Sequence, residues 1–193
     1  LNGINITLPF KQKIVPHIDI LVNDAEVTSS VNTVYLDEQS RVIGENTDVF
    51  GLQAAYLKEV DISRNKNALV IGAGGVSPSV ILSLQKSGLK DISITNRTME
   101  KCIFLKNKFK NLKIIAWENL KQEIKNYDII VNATSLGLKG GEDFNFNFEN
   151  TKNNLIYIDT IYNPLETKTF KYLKDKDIRV YNGLDMFIYQ GQK

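Results

Sequence analysis

From Asn67 onward, short apolar runs alternate with longer stretches in which apolar residues recur every three or four positions. Residues 68–71, 91–95, 112–116, 128–132, 155–159 and 178–181 read as strands, and 75–87, 98–110, 118–125 and 164–175 as helices. Continuous apolar runs separated by amphipathic helices are the signature of a parallel sheet covered on both faces, because each strand is buried from two sides. Val76, Val80 and Leu84, four residues apart, put an apolar stripe on the helix 75–87, and Gly88 closes it. The order before Asn67 differs. Residues 4–6 read as a strand, 11–21 as a short helix interrupted by Pro16, and 30–36 as a strand that turns near Asp37 into a second run at 41–44. A helix is expected from Asp48 to Val60, with Leu52, Ala55, Tyr56 and Glu59 at helical spacing. The polar, aperiodic stretch 61–67 is the expected junction, which divides the chain into 1–60, 68–183 and a helix begun at 184–193 that returns to the first part. The chain opens almost on a strand and closes inside an expected helix, so it reads as a fragment.

The sequence between the first two strands of the second part carries the most specific pattern. Gly72-Ala73-Gly74-Gly75-Val76-Ser77 follows the run 68–71, and the next run ends in Asn96-Arg97-Thr98. Gly72 permits a tight turn, Gly74 lets the backbone approach a pyrophosphate, and Ser77 is small enough for the helix to pack on the strand. A dinucleotide belongs on the N-terminus of such a helix. An acidic residue at the end of the second strand would accept hydrogen bonds from the ribose 2′-OH of NAD, whereas Arg97 offers a charged fork suited to a 2′-phosphate. The cofactor expected is NADP.

Composition narrows the classes. With 193 residues, of which 42% are hydrophobic and 24% charged, the chain can bury a sizeable core. A formal net charge of +2 is too small and too evenly spread for nucleic acid as the main partner, and the lysines from 101 to 113 read as a solvated helix face. One cysteine, Cys102, cannot form an internal disulfide; no metal-ligand spacing and no secretory or membrane-length apolar segment is present. A cytoplasmic protein acting on a small molecule, with no metal, nucleic-acid or membrane partner, is expected as a monomer or homodimer.

Candidate chemistry clusters where apolar runs end. Thr7 and Lys11 follow the first strand, Asn32 lies in the second, and Asp48 opens a helix. Open α/β proteins bind ligands beyond the carboxyl ends of their strands, so these groups could converge beside a nicotinamide. Hydride transfer to a carbonyl makes an alkoxide that needs a proton, and a lysine beside a carboxylate can hold and relay one. Lys11 and Asp48 are that pair; their ordinary alternatives are a solvated lysine and a carboxylate favoured by the helix dipole. His17, the only histidine, follows Pro16 and reads as structural, which leaves Ser-His-Asp catalysis without support. Asn132 to Gly137, with Thr134 and Ser135, follows a later strand, where it could border the nicotinamide ribose. Asp159 to Pro164, with the phenol of Tyr162, follows the next, and Gly183, Met186 and Gln190 belong to the start of the last helix.

Taken together, the blocks Gly3-Ile-Asn5-Ile-Thr7-Leu-Pro9-Phe-Lys11, Val31-Asn32-Thr33, Gly44-Glu-Asn46-Thr47-Asp48 with Gly51, Gly72-Ala-Gly74-Gly75, Asn96-Arg97-Thr98, Asn132-Ala-Thr134-Ser135-Leu-Gly137, Asp159 with Tyr162-Asn-Pro164, and Asn182-Gly183 with Met186 and Gln190 resemble the shikimate dehydrogenase family. The resemblance runs in family order over nearly the whole chain. It implies a Rossmann-type parallel sheet for NADP beside a smaller α/β substrate domain, and reversible NADPH-dependent reduction of 3-dehydroshikimate to shikimate in aromatic amino-acid biosynthesis. By position it makes Lys11 and Asp48 catalytic. Thr7, Asn32, Asp48, Tyr162 and Gln190 would bind substrate. Gly72, Ala73, Gly74, Gly75, Val76, Asn96, Arg97, Thr98, Thr134, Ser135, Gly183 and Met186 would bind cofactor. The family's first strand and helix, with a paired-serine motif, and the end of its last helix have no counterpart here. Ser29-Ser30 stands where Gly-Ala is more usual, and Ser77-Pro78-Ser79 where a small-Arg-Ala run is. Two alternatives are a quinate/shikimate dehydrogenase using NAD and a non-catalytic NADP-binding module.

Overall fold

A computed structural model describes residues 2–58 and 66–193. It holds two sheets. In the first part, β1 (Gly3–Asn5) is followed by a turn of 3-10 helix, β2 (Ile20–Leu21), α1 (Asp24–Thr28), β3 (Thr33–Leu36), β4 (Val42–Glu45) and α2 (Asp48–Leu52). The sheet order is β1-β3-β4-β2, with β3 antiparallel to both neighbours and β2 parallel to β4. The second part runs β5 (Asn67–Ile71), α3 (Ser77–Lys86), β6 (Asp91–Thr95), α4 (Met99–Lys108), β7 (Leu112–Ile114), α5 (Leu120–Glu123), β8 (Ile129–Asn132), β9 (Ile156–Asp159), α6 (Lys168–Lys174), β10 (Arg179–Tyr181) and α7 (Leu184–Gln192). Its six strands are all parallel in the order β10-β9-β8-β5-β6-β7.

That order reverses between β5 and β8, and the crevice beyond their carboxyl ends is where an open α/β sheet binds ligands. The strands flanking it are buried on both faces. Ala68 and Val70 of β5 join Val80, Ile81 and Leu84 of α3 in one core, while Leu69 and Ile71 join Leu120, Ile130, Tyr157 and Leu173 in the other. Each aliphatic side chain so buried contributes about 1.5–3 kcal/mol relative to exposure. Val49 and Leu52 of α2 and Tyr56 just beyond it belong to the first of these cores, where α2 packs on α3 and α7.

Several elements differ from the expectations. Residues 11–21 do not form a helix: turns lead to a 3-10 turn at Val15–His17 and then to β2, as the chain turns to lay Ile20 beside Ile43. The five-residue α1 is too short to show a period, and it ends in a left-handed Ser29 at φ 47°. The helix expected from Asp48 is α-helical only to Leu52 and continues as a π-helical turn at Gln53–Leu57, while Glu59 and Val60 lie outside the described residues. So does most of the expected junction 61–67, and Asn67 at its end already opens β5. The stretch 118–125 is a short α-helix between two 3-10 turns. Helix α6 begins four residues later than expected, because Thr167 caps it by accepting a hydrogen bond from Phe170 N while donating to Asp159.

Candidate active site

The antiparallel register of the small sheet gathers the first group of polar residues. Asn5 is abreast of Thr33, and Thr33 of Glu45. The residues just past β1, just before β3 and just past β4 therefore share one edge. Asn32 lies ahead of β3 rather than within it, and it reaches this edge because β3 runs against its neighbours.

There Lys11 Nζ donates to Asp48 Oδ2 at 2.7 Å, and Asp48 is only 2% exposed. The amide of Asn32 lies within 3.1 Å of Asp48 Oδ1, 2.9 Å of Thr47 Oγ1 and 2.9 Å of Gln190 Oε1, so its two hydrogens serve three acceptors. Thr47 N donates back to Asn32 Oδ1 at 2.9 Å. Gln190 arrives from α7, which lies against α2 because Gly51 has no side chain; a Cβ there would stand 2.7 Å from the carbonyl of Met186. Tyr56 fixes the same helix, donating its hydroxyl to the carbonyl of Asn182 and accepting Met186 N at 3.2 Å. Lys11, Asn32, Asp48 and Gln190 line a cavity of about 210 Å³ together with Thr7, Tyr162, Gly183 and Met186.

A groove of about 390 Å³ adjoins it, the two sharing Leu8, Val76 and Thr160. It runs beneath the turn Gly72–Val76 at the reversal of strand order. Gly72 adopts φ +110°, and a Cβ would lie 2.8 Å from the carbonyl of Ala133. Asn96 Oδ1 accepts Ala73 N at 3.2 Å and Ser77 Oγ accepts Gly74 N at 3.0 Å, which hold the turn open. Asn96, Arg97, Thr134 and Ser135 line the groove too. Thr98 does not: it precedes α4, and its carbonyl accepts Asn96 Nδ2.

A hub behind both cavities ties their walls. Asp159, 1% exposed, accepts from Asn132 Nδ2 and Ile161 N on one oxygen, each at 3.1 Å, and from Thr167 Oγ1 at 2.9 Å on the other. Asn132 Oδ1 in turn accepts Thr134 Oγ1 at 2.7 Å. Burial pushes the Asp159 carboxyl up to about 6, against the hydrogen bonds that favour its charged form.

Comparison with known proteins decides the family. A model described as "Shikimate / quinate 5-dehydrogenase" matches residues 55–166, and one for the shikimate dehydrogenase substrate binding domain matches residues 1–34. The chain belongs to the shikimate dehydrogenase family. Shikimate dehydrogenase (NADP(+)) of Pelagibacter ubique is 42% identical over 193 residues, covering 100% of this chain and 71% of that protein. The crystal structure of shikimate dehydrogenase from Aquifex aeolicus superimposes with a TM-score of 0.88 at 37% identity, covering 99% of this chain and 69% of that one. A Thermus thermophilus family structure in complex with NADP(H) and shikimate superimposes with a TM-score of 0.85 at 32% identity, covering 99% and 70%. The α/β class and the Rossmann-like parallel sheet expected from the sequence match these family structures.

Thr160, which lines both cavities, and Glu142, which pairs with Arg97, were not singled out from sequence. Thr160 stands beside Asp159 at a strand end, a position that could have suggested it. Glu142 is 45 residues from Arg97 with no local pattern linking them. Among the described residues no cluster of His, Cys, Asp and Glu could hold a metal ion, and no helix is long and apolar enough to cross a membrane.

Proposed function

We propose that the chain catalyses the reversible, NADPH-dependent reduction of 3-dehydroshikimate to shikimate, a cytoplasmic step of aromatic amino-acid biosynthesis. The observation that carries this reading is the Lys11–Asp48 pair, 2.7 Å apart in a cavity that adjoins the groove under the glycine turn. In this reading residues 1–60 and the returning helix 184–193 form the substrate side, 61–67 the junction and 68–183 the NADP side.

The residues along the groove suit a dinucleotide, since Gly72 lets the turn close against Ala133, while a Cβ at Gly74 would have only the carbonyl of Ala133 near it, at 4.0 Å, and the backbone there is open to a ligand. NADPH, when bound, supplies a hydride. Gly72 to Val76 would hold the pyrophosphate, Asn96 and Arg97, with Thr98 behind them, the 2′-phosphate, Thr134 and Ser135 the ribose, and Gly183 and Met186 the nicotinamide end. Thr7, Asn32, Tyr162 and Gln190 would bind substrate hydroxyls and carboxylate. As the carbonyl carbon takes the hydride, its oxygen takes a proton from Lys11 Nζ, and solvent replaces it. Asp48, 2.7 Å from that amine, holds it in place for the transfer.

The test is NADPH absorbance during incubation with shikimate and NADP⁺, beside calorimetry of NADP⁺ alone. Turnover is expected. NADP⁺ binding without turnover would make the chain a binding module, and turnover confined to quinate with NAD⁺ would reassign the substrate and cofactor.

A further inference from the structure

At the far end of the groove the guanidinium of Arg97 is already engaged. Its Nη1 donates to Glu142 Oε2 at 2.9 Å, with the two side chains 63% and 72% exposed. The Glu142 backbone is held in place. Its carbonyl accepts Gly137 N at 2.7 Å, and the next residue, Asp143, pairs with Lys168 at 2.6 Å. Beyond it, Phe144 packs edge-on against Phe148, which packs against buried Tyr157. The carboxylate thus stands at Arg97 in a cavity of about 240 Å³, and Trp117 and Leu136 line both this cavity and the cofactor groove.

We propose that Glu142 is a specificity-determining residue for the cofactor: its carboxylate competes with the 2′-phosphate for Arg97 and so weakens the preference for NADP over NAD. This rests on the reading that Arg97 receives that phosphate. A carboxylate and a phosphate both use the donors of the guanidinium fork. The phosphate, carrying a charge of about −1.5 to −2, must share the guanidinium with Glu142, which holds Nη1, or push its side chain aside, since the Glu142 backbone is anchored. Glu142 then remains as a negative charge beside it, while Asp143 is paired with Lys168 and Lys101 stands in the groove wall. NAD has no 2′-phosphate and leaves the pair intact.

Calorimetry of NADP⁺ and NAD⁺ on the wild type, Glu142→Gln, Arg97→Ala and the double variant tests this. Glu142→Gln is expected to tighten NADP⁺ about two- to fivefold, the range of an exposed ion pair, and to leave NAD⁺ unchanged. The gain should shrink at high ionic strength and vanish in the Arg97→Ala background. Unchanged or weaker NADP⁺ binding, an equal gain for NAD⁺, or an undiminished gain without Arg97 would each overturn the proposal. Arg97→Ala alone separates the two readings. If it weakens NADP⁺ selectively, the phosphate role of Arg97 stands whatever Glu142 does; if it does not, both fall.

Discussion

The hydroxyl of Ser30 donates to the carbonyl of Gly75 at 2.7 Å, joining the approach to β3 directly to the glycine turn. Ser30 is fully buried, and its own carbonyl accepts Asn46 Nδ2 at 2.7 Å, while Ser79 Oγ lies 2.9 Å from the same amide. Ser30, Asn46 and Ser79 therefore form one polar clasp between the two parts of the chain. Ser30→Ala leaves Gly75 O without this donor, a loss of about 0.5–1.5 kcal/mol that lowers Tm by about 1–6 °C. An unchanged melting curve would show that the bond contributes nothing.

Lys11→Ala is expected to lower turnover by about 10²–10⁴-fold, the usual worth of a positioned acid or base, with NADP⁺ affinity nearly unchanged. It also strands the buried Asp48 carboxylate, so the variant should melt below the wild type. Adding Asp48→Asn should recover part of that melting temperature without recovering turnover. Steady-state rates and thermal melts on the wild type and the two variants check both halves, and wild-type turnover in Lys11→Ala would rule out the proton role.

Arg97→Ala removes charge-assisted hydrogen bonds worth about 1.5–3 kcal/mol, so NADP⁺ should bind roughly ten- to a hundredfold more weakly while NAD⁺ barely changes. Equal losses for both cofactors, measured by calorimetry, would mean that Arg97 does not touch the 2′-phosphate.

Asp159 gives stability a pH dependence of unusual sign. Its carboxyl is raised from 3.8 to about 6 on folding, chiefly by burial, so the folded chain holds this proton more tightly than the unfolded one. The contribution is fully present below about 3.8 and is lost as pH rises through about 6. Asp159→Asn should abolish this fall, because the amide can still accept from Asn132 and Ile161 and donate to Thr167. Urea unfolding of both proteins from pH 4 to pH 7 measures it: the difference in stability, variant minus wild type, should rise by an amount of order 3 kcal/mol over about two pH units. A flat difference would place the carboxyl at its ordinary value.

The parallel sheet was legible in the sequence because it is a local matter repeated six times. Apolar runs at 68–71, 91–95 and 128–132 declare strands buried on both faces, and Gly72 and Gly74 mark a turn that only small residues make. The first part was less legible. Its three- and four-residue strands and the five-residue α1 span no more than about two repeats of the periods that reveal such elements, and β2 exists only because β4 is there to pair with it.

By itself the sequence determined the residue types of the site and their order, since Lys11, Asp48 and Arg97 sit where elements that the hydrophobic pattern marks begin or end, and Asn32 and Gln190 fall within two others. Only the tertiary structure decided which of them meet. Asn32 reaches Gln190 across 158 positions, Ser30 reaches Gly75 across 45, and Glu142 takes the fork of Arg97 across another 45. Such pairs depend on sheet register, on the strand reversal beside β5 and on the close approach of α7 at Gly51. Those are long-range packing choices, settled by the burial of whole faces, and no local run of residues encodes them.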